Sequence, residues 1–156
     1  MMSHEKFMKL AIREAKKAEE KDEVPIGAVI VIDGKVIAKA HNLRETSRNA
    51  VAHAEILAIQ KACKKLNDFR LLDASLYVTL EPCTMCMGAI LNARIKTLVF
   101  GAAQDKPNIL SATEINDRAE LNHKCEIISG VNADECSALV TEYFKEKRAR
   151  AQAKKV

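Results

Sequence analysis

Phe7, Leu10, Ala11, Ala15 and Ala18 recur at helical spacing with charged residues between them, which predicts an amphipathic helix from about His4 to Glu20. The apolar run Ile26-Gly27-Ala28-Val29-Ile30-Val31-Ile32 and the shorter Val36-Ile37-Ala38 flank Asp33-Gly34. That is a hairpin pattern, because a two-residue turn needs positive φ and Gly supplies it. Ala52, Ile56, Ile59, Cys63 and Leu66 alternate steps of four and three, marking a second helix. Leu76 to Leu80 and Thr97 to Phe100 read as strands, with a short helix from about Cys83 to Asn92 between them. A weaker strand falls at Cys125 to Ile128. Asn132 and Glu135 have capping-box spacing and open a last helix, about 132–150, through Cys136, Leu139, Val140 and Tyr143. Residues 102–124 carry the least pattern and are expected to form a loop or short helix.

The order α-β-β-α-β-α-β-β-α predicts an α/β fold, a mixed or parallel sheet of five strands covered by helices on both faces. No repeat, low-complexity linker or boundary interrupts it, so residues 1–156 are expected to form a single domain.

Charge adds one feature. The net +4 is uneven: residues 143–156 carry +5 and residues 1–142 carry −1. A near-neutral body with a basic tail excludes an even cationic coat. Ile26–Ile32 is the longest apolar stretch and too short for a bilayer, and the first residues lack the apolar core of a secretion signal. The expectation is a soluble, cytoplasmic protein with no membrane partner.

Two clusters carry the chemistry: His53-Ala54-Glu55 and Pro82-Cys83-Thr84-Met85-Cys86. Each opens a predicted helix. Cys83 and Cys86 are i and i+3, so both thiols face one side of a first turn, where the helix N-terminus favours thiolate. One imidazole and two thiolates make three ligands for a tetrahedral Zn2+, leaving a fourth position for water. Cys63, Cys125 or Cys136 as a fourth ligand would close the site and make it structural; C-x-x-C as a redox dithiol is a further alternative. Cys63 and Cys136 fit the apolar faces of their helices, as free cysteines commonly do. Glu55 stands about 200° around a helix from His53 and reaches the same site only if the helix begins near His53. Its other role would be to favour the helix dipole.

His-x-Glu followed by Pro-Cys-x-x-Cys resembles the zinc nucleobase deaminases. Glu23 to Val29, Ala52 to Ile56, Arg70-Leu71-Leu72, Leu76 to Ile90, Val99 to Ala102 and Val131 to Arg148 resemble, within them, the bacterial tRNA-specific adenosine deaminases. The resemblance implies a cytidine-deaminase-like three-layer α/β/α sandwich and one Zn2+ per subunit, held by His53, Cys83 and Cys86. Glu55 would be the catalytic acid/base that moves protons from water to the ring nitrogen and to departing ammonia. It further implies hydrolysis of the wobble adenosine of a tRNA anticodon stem-loop to inosine, by a homodimer. Asn42 matches the family's base-binding asparagine, although an asparagine after a hairpin also suits a turn. Val24, Ala54 and Lys106 fall at substrate-binding positions, and Phe144, Lys145 and Arg148 match the helix end that contacts RNA. Two stretches differ from the family: Ala50-Val51-Ala52 precedes the histidine in place of Pro-Thr-Ala, and Gln104 replaces an aspartate in a loop, 103–112, that lacks the usual glycines. That loop motivates a second reading, deamination of a free nucleobase or nucleoside of guanine or cytosine type. A zinc-stabilised RNA-binding subunit without catalysis is a third, against which Glu55 argues.

Overall fold

The computed structural model describes residues 3–104, 106, 110–118 and 122–155; Asp105, Pro107, Asn108 and Ile109 of the divergent loop lie outside them. Helix α1 (His4–Glu20) starts on Ser3, whose side chain accepts the Lys6 N–H. Strands β1 (Gly27–Ile32) and β2 (Lys35–His41) form the hairpin. Asp33 and Gly34 both hold positive φ, 50° and 74°, so the turn twists with the strands it joins. After them come α2 (Ala54–Leu66), β3 (Ser75–Leu80), α3 (Thr84–Asn92), β4 (Thr97–Ala102), α4 (Ala112–Asn116), β5 (Glu126–Ile128) and α5 (Ala133–Ala153).

The sheet runs β2-β1-β3-β4-β5. β1 is antiparallel to both β2 and β3, whereas β3, β4 and β5 are parallel. Strand alternation divides the core. Ala28, Ile30, Leu76, Val78, Leu98 and Phe100 pack with α2, α3 and α4. Val29, Val31, Tyr77 and Val99 pack with α1 and Cys136 of α5. Both faces are covered, giving the expected α/β/α sandwich with a mixed five-stranded sheet.

Two local expectations are corrected. On α2, the fully buried face is Ala54, Glu55, Ala58 and Ala62; Ile56, Ile59 and Cys63 are half-buried and Leu66 is exposed. Alanines let the helix backbone approach the sheet closely, so the bulky stripe flanks the contact instead of forming it. Asn132 makes no cap bond to α5: it sits in the left-handed region (φ 53°), where its side chain turns away and donates to the Glu5 carbonyl at 3.4 Å. A complete capping box forms instead in the weakly patterned segment, between Ser111 and Glu114 at the start of α4.

This topology gathers one edge of the sheet. The carboxyl ends of β2, β3 and β4 meet the amino end of β1 there, and α2 and α3 begin beside it. Ligand sites of open α/β sheets form outside such carboxyl ends.

Candidate active site

His53 is the N-cap of α2 and Cys83 the N-cap of α3, both with extended backbone; neither side chain caps its helix. Each is therefore free to turn over its helix end. His53 Nδ1 lies 3.7 Å from Cys83 Sγ and 3.5 Å from Cys86 Sγ. A tetrahedral ion with Zn–N near 2.0 Å and Zn–S near 2.3 Å spaces such a pair by about 3.5 Å, so the donor set fits zinc. Among the described residues this trio is the one metal-competent cluster, its ligand atoms all within 4.8 Å of one another.

Electrostatics agree with the geometry. Hydrogen bonds from Cys86 and His53 pull the Cys83 thiol down to about 3. The Cys83 bond and burial push the Cys86 thiol far up. The hydrogen bond to Cys83 raises His53. A cation at the centre would favour deprotonation of both sulfurs.

Glu55 lies in the first turn of α2 and is 4% exposed. Burial pushes its carboxyl up to about 7, with the nearby Cys83 adding to the rise. The requirement that α2 begin at His53 is met, which puts His53 and Glu55 at one helix end despite their angular separation.

The other cysteines do not join the cluster. Cys136 is buried against Gly101, Cys125 bonds Asn116, and the Cys63 thiol donates to the Phe69 carbonyl.

A cavity of about 890 Å3 opens beside the cluster and includes His53, Ala54, Cys83, Val24, Asn42, Lys106 and Phe144 in its wall. Seven of the eleven residues singled out from the sequence thus meet there; Glu55 and Cys86 are buried, and Lys145 is not among the lining residues. Arg148 is not among the lining residues; Lys147, one position earlier on α5, is. Asn42 is 6% exposed. Its Oδ1 accepts the Arg44 N–H at 3.1 Å and its Nδ2 donates to the Val24 carbonyl at 3.3 Å. The turn role is real, yet one N–H and one lone pair are left for the cavity.

Sequence reasoning missed Arg44 and Arg48, which with Lys106 and Lys147 outnumber Glu23 and Glu45 in the wall. It also missed Glu23, whose buried carboxylate accepts the Glu45 and Thr46 N–H groups and holds the loop after β2. Burial opposes its ionisation, but those bonds outweigh it and keep the carboxyl low. No local pattern marks either feature.

Fold and site together define a hydrolytic deaminase of the His-x-Glu, Cys-x-x-Cys class, and the MafB19-like deaminase family model matches residues 2–148. The tRNA-specific adenosine deaminase of Bacillus subtilis is 51% identical over 155 residues, covering 98% of this chain and 96% of the relative. A solved structure from a study of A-to-I editing by tRNA:A34 deaminases at the wobble position of transfer RNA is 44% identical, with TM-score 0.80, over 86% of this chain and 98% of that one. Guanine deaminase from Bacillus subtilis is 45% identical, with TM-score 0.63, but the match covers 65% of this chain and 66% of that one. The chain belongs to the tRNA-specific adenosine deaminases.

Proposed function

We propose that this protein, acting as one domain over residues 1–156, is a zinc-dependent hydrolase converting the wobble adenosine of a tRNA anticodon stem-loop to inosine and ammonia. The observation that carries it is the His53–Cys83–Cys86 triangle beside buried Glu55, with His53 and Cys83 in the wall of a cavity where four cationic side chains outnumber two carboxylates. His53, Cys83 and Cys86 hold the metal. Zn2+ bound there supplies Lewis-acid activation of water, and two thiolates already offset its charge.

A base is therefore still needed, and Glu55 is it. Its carboxylate accepts a proton as water adds to C6 of the purine and delivers it to N1. The second water proton passes the same way to the exocyclic amine, which leaves as ammonia as the water oxygen becomes the new C6 carbonyl. One carboxyl serves as base and then acid, and a value near 7 suits both tasks. Asn42, oriented by its two backbone bonds, offers its remaining donor and acceptor to the purine edge, with Val24 and Ala54 as walls. Lys106, Phe144 and the Lys147–Arg148 end of α5 meet the flanking nucleotides.

Val51, Leu66, Phe69, Leu72 and Met85 are exposed on the α2–α3 layer, Phe69 by 71%. Exposed apolar side chains before, within and after α2 and α3 support a homodimer. Leu72→Glu is expected to convert a dimer to monomer in sedimentation. Among the described residues no helix is long and apolar enough to cross a membrane; with tRNA as substrate, the cytoplasm is the expected location.

The partial likeness to guanine deaminase and Gln104 favour one second reading, a free purine substrate. Purified protein incubated with an anticodon stem-loop carrying A at the first anticodon position separates the two. Inosine in the recovered RNA is the expected result; unmodified RNA alongside turnover of free guanine overturns the proposal.

A further inference from the structure

Glu81 sits between the end of β3 and Cys83, two residues before the proposed metal ligand. Its side chain is 7% exposed and is not in the cavity wall. One carboxylate oxygen accepts the Gln104 N–H at 2.9 Å and the other accepts the Ala112 N–H at 2.8 Å. Its main chain is fastened to the same segment. The Glu81 N–H donates to the Ala102 carbonyl at 2.8 Å, and its carbonyl accepts Gln104 Nε2 at 3.2 Å. A single residue thus holds both ends of the chain that leaves β4 and returns as α4. Ala103, Gln104 and Lys106, near the first of those ends, line the cavity.

We infer that Glu81 is a positioning residue for substrate: it locks Ala102, Gln104 and Ala112 to the strand end that leads into Cys83, and so sets where Gln104 and Lys106 meet the bound nucleotide. This rests on the deaminase reading above. The chemistry of the clamp is specific. A buried carboxylate is retained only with its oxygens satisfied, and two backbone N–H donors satisfy both with charge-assisted bonds. The Gln104 carboxamide supplies a donor that a carboxylate at this position would lack, so the glutamine serves as a second fastener. Pre-organising a substrate loop lowers the ordering that binding must otherwise supply, and its loss appears mainly in KM.

The test compares wild type, Glu81→Gln and Glu81→Ala as zinc-loaded full-length protein, with two readouts. Steady-state deamination of the stem-loop gives kcat and KM, and hydrogen exchange reports the Gln104 and Ala112 amides. Expected for Glu81→Ala are wild-type zinc content, kcat within about threefold, KM raised about tenfold or more, and faster exchange at both amides. Glu81→Gln preserves volume and one acceptor oxygen. It is expected to restore exchange protection at one of the two amides and to give an intermediate KM. It also decides the matter if the alanine variant does not fold. Unchanged KM, unchanged exchange, or loss of zinc together with kcat overturns the inference. Wild-type protein that makes no inosine refutes the deaminase reading instead, and amide exchange then still decides whether the clamp exists.

Discussion

Glu55 shows how one residue's role depends on where a helix starts. In a helix interior it would face away from His53; at the first turn of α2 both approach the same point. Glu55→Gln removes the proton carrier without adding charge or volume. It is expected to lower kcat by about 10²–10⁴-fold while zinc content, measured by elemental analysis, stays at one per chain. Glu14 makes a second residue-scale prediction. Burial alone would raise its carboxyl, but hydrogen bonds to Lys17 at 2.7 Å and His41 at 3.1 Å outweigh burial and hold it low. A carboxylate depressed on folding stabilises the protein above its unfolded value and loses that contribution as pH falls through the folded one. The drop in melting temperature between about pH 6 and about pH 3 should therefore be smaller in Glu14→Gln than in wild type.

Elements are positioned by small residues as much as by large ones. A Cβ on Gly27 would collide with the Ala11 carbonyl of α1, a backbone atom that cannot swing aside. Gly27→Ala should cost about 2–4 kcal/mol in denaturant unfolding by forcing α1 off β1. The same close approach explains α2, where Ala54, Ala58 and Ala62 form the buried line. The apolar period correctly marked a helix there, but period alone does not say which flank of a wide apolar arc meets the sheet. Capping signals behave likewise. Asn132 and Ser111 both precede a glutamate by three residues, and only Ser111, with extended backbone, forms the box.

At the scale of the whole molecule, the basic tail divides by contact. Arg150 pairs with Asp22 at 3.0 Å, and the Tyr143 hydroxyl donates to the Asp22 carbonyl at 2.9 Å, tying α5 to the end of α1. Lys147 lies in the cavity wall, and Lys145 and Arg148 are exposed. Replacing Lys145, Lys147 and Arg148 together with Gln should reduce the salt slope of stem-loop binding by about 2, whereas Arg150→Gln should leave it unchanged. Titrations at several salt concentrations check both.

The amino-acid sequence by itself determined the helices and strands, the Asp33-Gly34 turn, the three proposed ligands and the carboxylate beside them. The elements and the turn rest on period and turn conformation among residues close in the chain; the ligands and the carboxylate rest on donor chemistry and on the deaminase resemblance that His-x-Glu and Cys-x-x-Cys carry. Only the tertiary structure decided that Arg44, Arg48 and Lys147 face the same cavity, that Arg150 is spent on Asp22, and that Glu81 fastens Gln104 and Ala112. Those pairings join segments from about twenty to well over a hundred residues apart. Which partner a donor finds at that distance is set by sheet order and helix docking, and no local pattern encodes either.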